Sequence, residues 1–140
     1  MHNSSDETMI RDSLRAARGA AFEVHGALLE LVRRDYERDF GRVQDAMTLL
    51  KLATSEPAFA WLRPLTAAIA DADAVLVEKH EHDVRHARVL LASITELLRA
   101  DEGGSDFQRR YHAAIQASPD VAVTHCRAVQ GMRNAMVRWT

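Results

Sequence analysis

The chain has 140 residues, of which 47% are hydrophobic and 27% are charged, and its formal net charge is −2. This length suits one domain, residues 1–140, large enough to bury about two-thirds of the surface that the unfolded chain exposes. The composition is that of an ordinary globular protein and argues against disorder and against membrane spanning. Because acidic and basic residues are interleaved, no basic face favours nucleic acid as a partner.

The cysteine content and the N-terminal residues bear on the compartment. Cys126 is the only cysteine, which excludes an internal disulfide and any multi-cysteine metal site. The first residues, Met1 to Glu7, lack the basic and apolar regions of a secretory signal. We therefore expect a protein of a bacterial-type cytoplasm.

Apolar residues recur at helical spacing from the N-terminal region onward and predict a first long helix over about residues 7–39. Gly41 ends this helix, and a short helix is predicted over residues 43–52. The predicted inward stripe of the first helix consists of Ile10, Leu14, Ala17, Ala21, Val24, Leu28, Val32 and Tyr36.

The most unusual stretch of the sequence covers residues 55–65, which hold one of the two tryptophans and two of the three prolines. Ser55 is a good helix N-cap, and Pro57 falls in the first turn, where a missing N–H costs nothing. Pro64 comes two turns later and crowds a carbonyl one turn back, which predicts a kink at Pro64. The kinked helix is expected to cover residues 56–77. Its predicted inward stripe consists of Ala58, Leu62, Leu65, Ile69, Ala72 and Leu76.

The rest of the chain also reads as helix. A further long helix is predicted over residues 84–98, a loop over 101–105 and a short helix over 107–115, and Pro119 opens the last helix. No strand-like alternation of useful length occurs. The predicted fold is therefore all-α, an antiparallel four-helix bundle with two short additional helices.

Three residues that could carry chemistry fall on or beside the predicted inward faces: His25 on the first helix, Asp73 on the kinked helix and His125 on the last. Histidine with a carboxylate could support a mononuclear divalent metal or a proton relay. The alternative is that each histidine hydrogen-bonds a buried neighbour and that Asp73 pairs with a histidine or with Arg63. A ferritin-like di-iron centre is not expected, because no Glu-x-x-His lies on an inward face.

Arg63 stands within an apolar run, and burying its charge without a carboxylate would cost on the order of several kcal/mol. The carboxylates expected beside it are Glu37, Asp35 and Asp73. If none of them pairs with it, Arg63, Trp61 and Tyr36 would form a pocket for an anion or an aromatic ligand.

A polar junction precedes the helix of residues 84–98 and is rich in potential metal ligands. His82 and His86 are four residues apart and could share a divalent metal from one helical face. A helical wheel places both opposite Leu91 and Leu98, in open water and without supporting hydrogen bonds. A solvated pair without a physiological metal is the favoured interpretation, and no cofactor is required by the sequence.

One run, residues 59–65 with the sequence Phe-Ala-Trp-Leu-Arg-Pro-Leu, is the specific part of a longer pattern. The other members of the pattern are His25, Leu28, Leu29, Tyr36, Glu37, Gly41, Leu49, Leu50, Asp73, Tyr111, Gln116, Pro119, Asp120, Val121 and His125. With these residues the chain resembles an uncharacterised family of small bacterial all-helical proteins. The resemblance implies a bacterial cytosolic protein, brings no established activity or ligand, and adds Tyr111 to the residues of interest.

We therefore expect a non-enzymatic binding or interaction protein, regulatory or stress-related, that presents a ligand pocket or an oligomer surface, and we assign no catalytic residue. The alternative is a bundle protein or enzyme that depends on a metal or small ligand at the inward His/Asp site. The ligand-pocket candidates are His25, Tyr36, Glu37, Trp61, Arg63, Asp73, Tyr111 and His125. Three apolar residues near the C-terminus are expected to lack an intramolecular partner and to suit a homodimer interface. They are Met132, Met136 and Trp139.

Overall fold

The computed structural model describes residues 4–77 and 84–137, and all the regular structure in these ranges is helical. The elements are α1 (Ser4–Phe40), α2 (Ala46–Ser55), a 3-10 helix (Pro57–Leu62), α3 (Arg63–Val77), α4 (Val84–Leu97), α5 (Asp106–Ala117) and α6 (Pro119–Val137). The predicted all-α class is confirmed. Within the same ranges, no helix is both long enough and apolar enough to cross a membrane.

The longest helix, α1, has 37 residues and contacts α3, α4 and α6, so these helices pack around it. Its inward stripe is the predicted one, because apolar residues three or four apart share one face of a helix. Only Tyr36, at the end of the stripe, is partly rather than fully buried. The buried members are Ile10, Leu14, Ala17, Ala21, Val24, Leu28 and Val32.

Polar contacts seven residues apart along α1 join it to α3. They are Arg11 to the Leu76 carbonyl at 3.2 Å, Arg18 to Asp73 at 2.7 Å and His25 to Thr66 at 3.0 Å. Seven residues are nearly two turns, so the three α1 residues share one face. Because the residue numbers rise along α1 as they fall along α3, the two helices run antiparallel.

The structure divides the predicted kinked helix of residues 56–77 into two elements. Ser55 is not its N-cap, because Ser55 is the last residue of α2 and its hydroxyl donates to the Lys51 carbonyl at 2.7 Å. The first element is the 3-10 helix, which carries Pro57 in its first turn as predicted. Pro64 is the second residue of α3, where its missing N–H leaves no helical bond unmade. Pro64 therefore lies at the start of a new helix, not at a kink inside one.

The 3-10 helix also changes which residues face inward. With three residues per turn, Phe59 and Leu62 share one face, and Ala58 and Trp61 share the next. Phe59 and Leu62 are buried, whereas Ala58, where the predicted inward stripe starts, is exposed. The prediction assumed the 3.6-residue period of an α-helix, which does not hold over this segment.

The least buried helix is α2. It begins three residues later than predicted, after Asp45, whose carboxylate caps it by accepting from the Thr48 N–H at 2.7 Å. None of its residues is buried, and it packs mainly against the 3-10 helix. Met47 and Leu50 are largely exposed. Its Leu49, Leu52 and Ala53 are partly buried against the core, so α2 covers part of the molecule without a fully buried residue of its own.

A buried glutamine fixes the start of α5 to the end of α4. Ser105 and Gln108 form a capping box at the start of α5. Gln108 is only 4% exposed and donates to the Glu96 carbonyl at 2.6 Å. The predicted loop over residues 101–105 is confirmed, and these contacts hold its two ends together.

Candidate functional site

The three residues of the predicted inward His/Asp site each have a different partner. The pairs are His25 with Thr66, Asp73 with Arg18, and His125 with Tyr111. The α3 residues of the first two pairs are seven positions apart, which is about 10 Å along the helix. In the described part of the chain, no three His, Cys, Asp or Glu side chains are grouped so that they could hold a metal ion. The structure thus does not assemble the inward site.

Asp73 pairs with Arg18, and not with a histidine or Arg63 as predicted. Its two carboxylate oxygens accept from the guanidinium at 2.7 and 3.2 Å, and the same guanidinium lies 4.8 Å from the centre of the Phe22 ring. Both side chains of the ion pair are a third to a half exposed. Such a pair contributes at most about 1 kcal/mol to stability, so it serves to align α1 with α3.

Tyr111 and His125 form a contact between α5 and α6. Tyr111 is fully buried, its hydroxyl hydrogen-bonds Nδ1 of His125, and the two rings meet edge to face with centroids 5.2 Å apart. Burial raises the pKa of the Tyr111 hydroxyl and lowers the pKa of His125. Both groups are therefore neutral at neutral pH, and the phenol donates to the imidazole. This pair joins two helices, and because Tyr111 is fully buried its hydroxyl is closed to a ligand.

Arg63 has no carboxylate partner among the described residues, contrary to the prediction. Its guanidinium donates to the Thr54 carbonyl, at the end of α2, at 3.3 Å. Glu37 accepts instead from Arg33 at 3.2 Å and from the Val43 N–H at 2.7 Å, so it stabilises the turn after α1. Because Arg63 is exposed, its charge remains in water and the cost of burying an unpaired charge does not arise.

The predicted pocket of Arg63, Trp61 and Tyr36 is divided between two cavities on different faces of the 3-10 helix. Tyr36 and Trp61 line a cleft between α1 and α5, which we call the aromatic cleft. Arg63 lines a second cavity, together with His25, on the face that carries Phe59; we call it the α2 cavity. The three-residue repeat of the 3-10 helix separates the two sites.

The α2 cavity lies between α2, α1, the 3-10 helix and the start of α3, and it has a volume of about 420 Å³, in the range of small-ligand sites. Arg63 and Thr66 are three residues apart on α3 and therefore share one face of the helix. The residues that they contact, Thr54 and His25, lie on the same side of α3. Those two polar pairs are Arg63 with Thr54 and Thr66 with His25. The main apolar lining residues are Leu29, Leu49, Leu50, Ala53, Phe59 and Leu62.

Hydrogen bonding fixes the state of His25 in the α2 cavity. Burial lowers its pKa, so the imidazole is neutral at neutral pH. The Thr66 hydroxyl donates to the Leu62 carbonyl at 3.2 Å, which leaves its oxygen to accept from His25 Nε2–H at 3.0 Å. Nδ1 of His25 is then an acceptor. Arg63 is the single charged residue in the described lining of this cavity.

The other predicted surface residues are the histidine pair before and in α4 and the apolar residues near the C-terminus. His82 lies outside the described residues, and His86 is exposed on α4. Met132 is only 7% exposed within the single chain, because it falls on the inward stripe of α6, which packs on α1. The prediction that it lacks an intramolecular partner is wrong. Met136 is about half exposed, and Trp139 lies outside the described residues.

Sequence reasoning missed Thr66 and the apolar side of α2 as parts of a site. The spacing of Thr66 from Arg63 was a signal for a shared helical face. The leucines of α2 looked the same as those of any helix packed on a core, because the periodicity of a helix does not say whether its apolar side is filled.

Comparison with protein-family models, with curated proteins and with solved structures finds no match to this chain. The geometry and charge of the two cavities are therefore the basis of the proposals that follow.

Proposed function

We propose that this protein is a non-enzymatic binding protein for a small molecule and that the α2 cavity is its site. One observation carries the proposal: the cavity is lined mainly by apolar side chains, and its single charged lining residue, Arg63, has no carboxylate partner among the described residues. A ligand that complements this site is largely apolar and has one anionic end. The volume of about 420 Å³ suits a molecule of that kind.

The apolar part of the ligand supplies most of the binding energy under this proposal. Each square ångström of apolar surface removed from water contributes about 25 cal/mol before the costs of association. The anionic end receives charge-assisted hydrogen bonds from Arg63, which are stronger than its bond to the neutral Thr54 carbonyl. Neutral His25 and Thr66 lie beside this end and restrict its orientation.

The α2 helix acts as the cover of the site. None of its residues is fully buried, so moving α2 gives up less buried apolar surface than moving a core helix would. Leu49 and Ala53 line the cavity, whereas Met47 lies outside the lining and is largely exposed. Binding would fix α2 against the bundle and so change the surface that a protein partner meets. This is how a regulatory or stress-related role would operate.

The frame of the site is the predicted antiparallel bundle of four main helices, α1, α3, α4 and α6, with α2 and α5 as short additions. The packing of α1 against the other three and of α3 against α4 supports this arrangement. A place in a bacterial cytoplasm is supported by the family resemblance. Among the described residues, the exposed side chain of Met136 is what still supports a homodimer through the end of α6.

A cavity-filling variant tests the site. Octanoate, an eight-carbon carboxylate, is titrated by calorimetry into the intact protein and into Ala53→Trp, whose new ring fills the cavity from α2. We expect binding to the wild type and at least about ten-fold weaker binding to Ala53→Trp. Met47→Trp places the same ring on the exposed side of α2 and is the matched control, expected to bind octanoate like the wild type.

The charge of Arg63 is tested by changing the ligand and the residue together. Arg63→Gln should weaken octanoate binding by about ten-fold, or about 1.4 kcal/mol, and leave the binding of octan-1-ol unchanged. The proposal is wrong if wild type and Ala53→Trp bind octanoate equally. It also fails if octanol binds the wild type as tightly as octanoate does.

A further inference from the structure

The aromatic cleft is separate from the α2 cavity. It has a volume of about 470 Å³ and lies between the last turns of α1 and α5. Three aromatic side chains line it, Tyr36, Phe40 and Trp61. The rings of Tyr36 and Phe40 have centroids 4.8 Å apart, and Trp61 packs on Phe107 at 5.7 Å. Each of these side chains therefore has an aromatic neighbour.

Several polar atoms of the cleft have no protein partner among the described residues. The Tyr36 hydroxyl, the Trp61 indole N–H and the Asp39 carboxylate form no hydrogen bond or ion pair there. Tyr36 and Trp61 are nevertheless partly buried. By contrast, the hydroxyl of buried Tyr111 is used within the protein by His125. With respect to the described residues, these polar groups of the cleft are available to contact a bound molecule.

The charges in the cleft favour a cation. Asp35 and Asp39 bring two carboxylates, and Arg110 brings one guanidinium. Nε of Arg110 donates to the carboxylate of Asp106 at 3.2 and 3.1 Å, so the positive charge is already paired. Asp35 accepts from Arg38 at 3.0 Å. Asp39 remains as the lining carboxylate that forms no ion pair with a described residue.

Two helix ends add to this negative potential. Phe40 is the last residue of α1 and Ala117 is the last residue of α5, and both line the cleft. A helix C-terminus carries about half an elementary negative charge. The aromatic faces, which are negative at their centres, attract cations that have an apolar shell. A small hydrated metal ion would instead need a set of oxygen ligands.

We propose that the aromatic cleft binds the alkylated ammonium group of a small organic cation. The methyl groups of such a cation contact the faces of Trp61, Tyr36 and Phe40, and its charge lies near Asp39. A carboxylate ligand would be repelled by the acidic residues of the cleft. A divalent metal does not fit, because the described residues contain no group of three side chains that could ligate it. The cleft volume lies in the range of small-ligand pockets.

The test compares two molecules of the same shape, choline and its uncharged analogue 3,3-dimethylbutan-1-ol. Both are titrated into intact Trp139→Phe protein, in which Trp61 is the remaining tryptophan and reports occupancy of the cleft by its fluorescence. We expect choline to change the emission of Trp61 and to bind about five-fold more tightly than the neutral alcohol. Equal binding of the two molecules, or no change with choline, would overturn the proposal.

Two variants locate the binding without disturbing the core, because Asp39 and Phe40 are both exposed. Asp39→Asn and Phe40→Leu should each weaken choline binding by about three-fold or more. Asp71→Asn removes an exposed carboxylate of α3 outside the cleft and should change nothing. If both cleft variants bind choline like the parent protein, the assignment is wrong. Choline binding should persist in saturating octanoate, so this test is independent of the α2 cavity.

Discussion

At the scale of single residues, the histidines illustrate what a sequence can and cannot provide. The sequence placed His25 and His125 correctly on long helices and near their inward faces. It could not show that they contact Thr66 and Tyr111, because those partners depend on how α3 and α5 are set against their neighbours. Both histidines are held neutral by burial, which lowers the pKa of each.

These lowered pKa values predict how stability changes with pH. In the unfolded chain a histidine titrates near 6.5, so below that pH the unfolded state binds protons that the folded state does not. The stabilisation is present above about pH 6.5 and is lost as the pH falls through 6.5 towards the folded pKa. We expect the free energy of unfolding, measured in urea, to be smaller at about pH 5.5 than at about pH 7.5.

The same urea measurements on variants assign this effect to a residue. His25→Gln keeps a hydrogen-bond donor for Thr66 but cannot be protonated, so it should reduce the pH dependence to the part that His125 contributes. His86→Gln, at an exposed position of α4, is the control for the substitution itself. A pH dependence in His25→Gln as steep as that of the wild type would show that the imidazole of His25 does not contribute to it.

At the scale of helices, the prediction succeeded where the winding is α-helical and failed where it is not. The inward stripe of α1 was predicted because a period of 3.6 holds over its whole length. The 3-10 helix has a period of three, so the stripe expected from Ala58 was displaced to Phe59. Ser55 was mistaken for a cap because its hydroxyl can bond inside one helix as well as at the start of the next.

Because α2 has no buried residue, we expect it to open more readily than the four main helices. Its amides should exchange hydrogen for deuterium faster than those of residues 14–28 in α1, because none of the α2 residues is buried. Saturating octanoate should slow exchange in α2 and leave α1 unchanged. Mass spectrometry of the exchanged peptides measures both effects. Equal protection of α2 and α1 without ligand would contradict its role as a cover.

At the scale of the whole molecule, the helix arrangement decides which candidate residues share a site. Trp61 and Arg63 are two positions apart in sequence, yet they line different cavities because the 3-10 helix ends between them. His25 on α1 faces α3 and Asp73 on α3 faces α1, but about two helical turns separate the contacts that the two residues make. The periodicity of the sequence cannot predict which residues share a cavity, because this depends on the relative positions of helices far apart in sequence.

The central claim is that the α2 cavity is the binding site, and proton–nitrogen correlation spectra recorded during an octanoate titration test it most directly. The proposal predicts the largest shift changes at the amides of Leu49, Ala53, Phe59 and Thr66, which line the cavity. The amides of residues 113–117 in α5, beside the aromatic cleft, should stay unchanged. Shift changes centred on α5, or none at saturating octanoate, would contradict it.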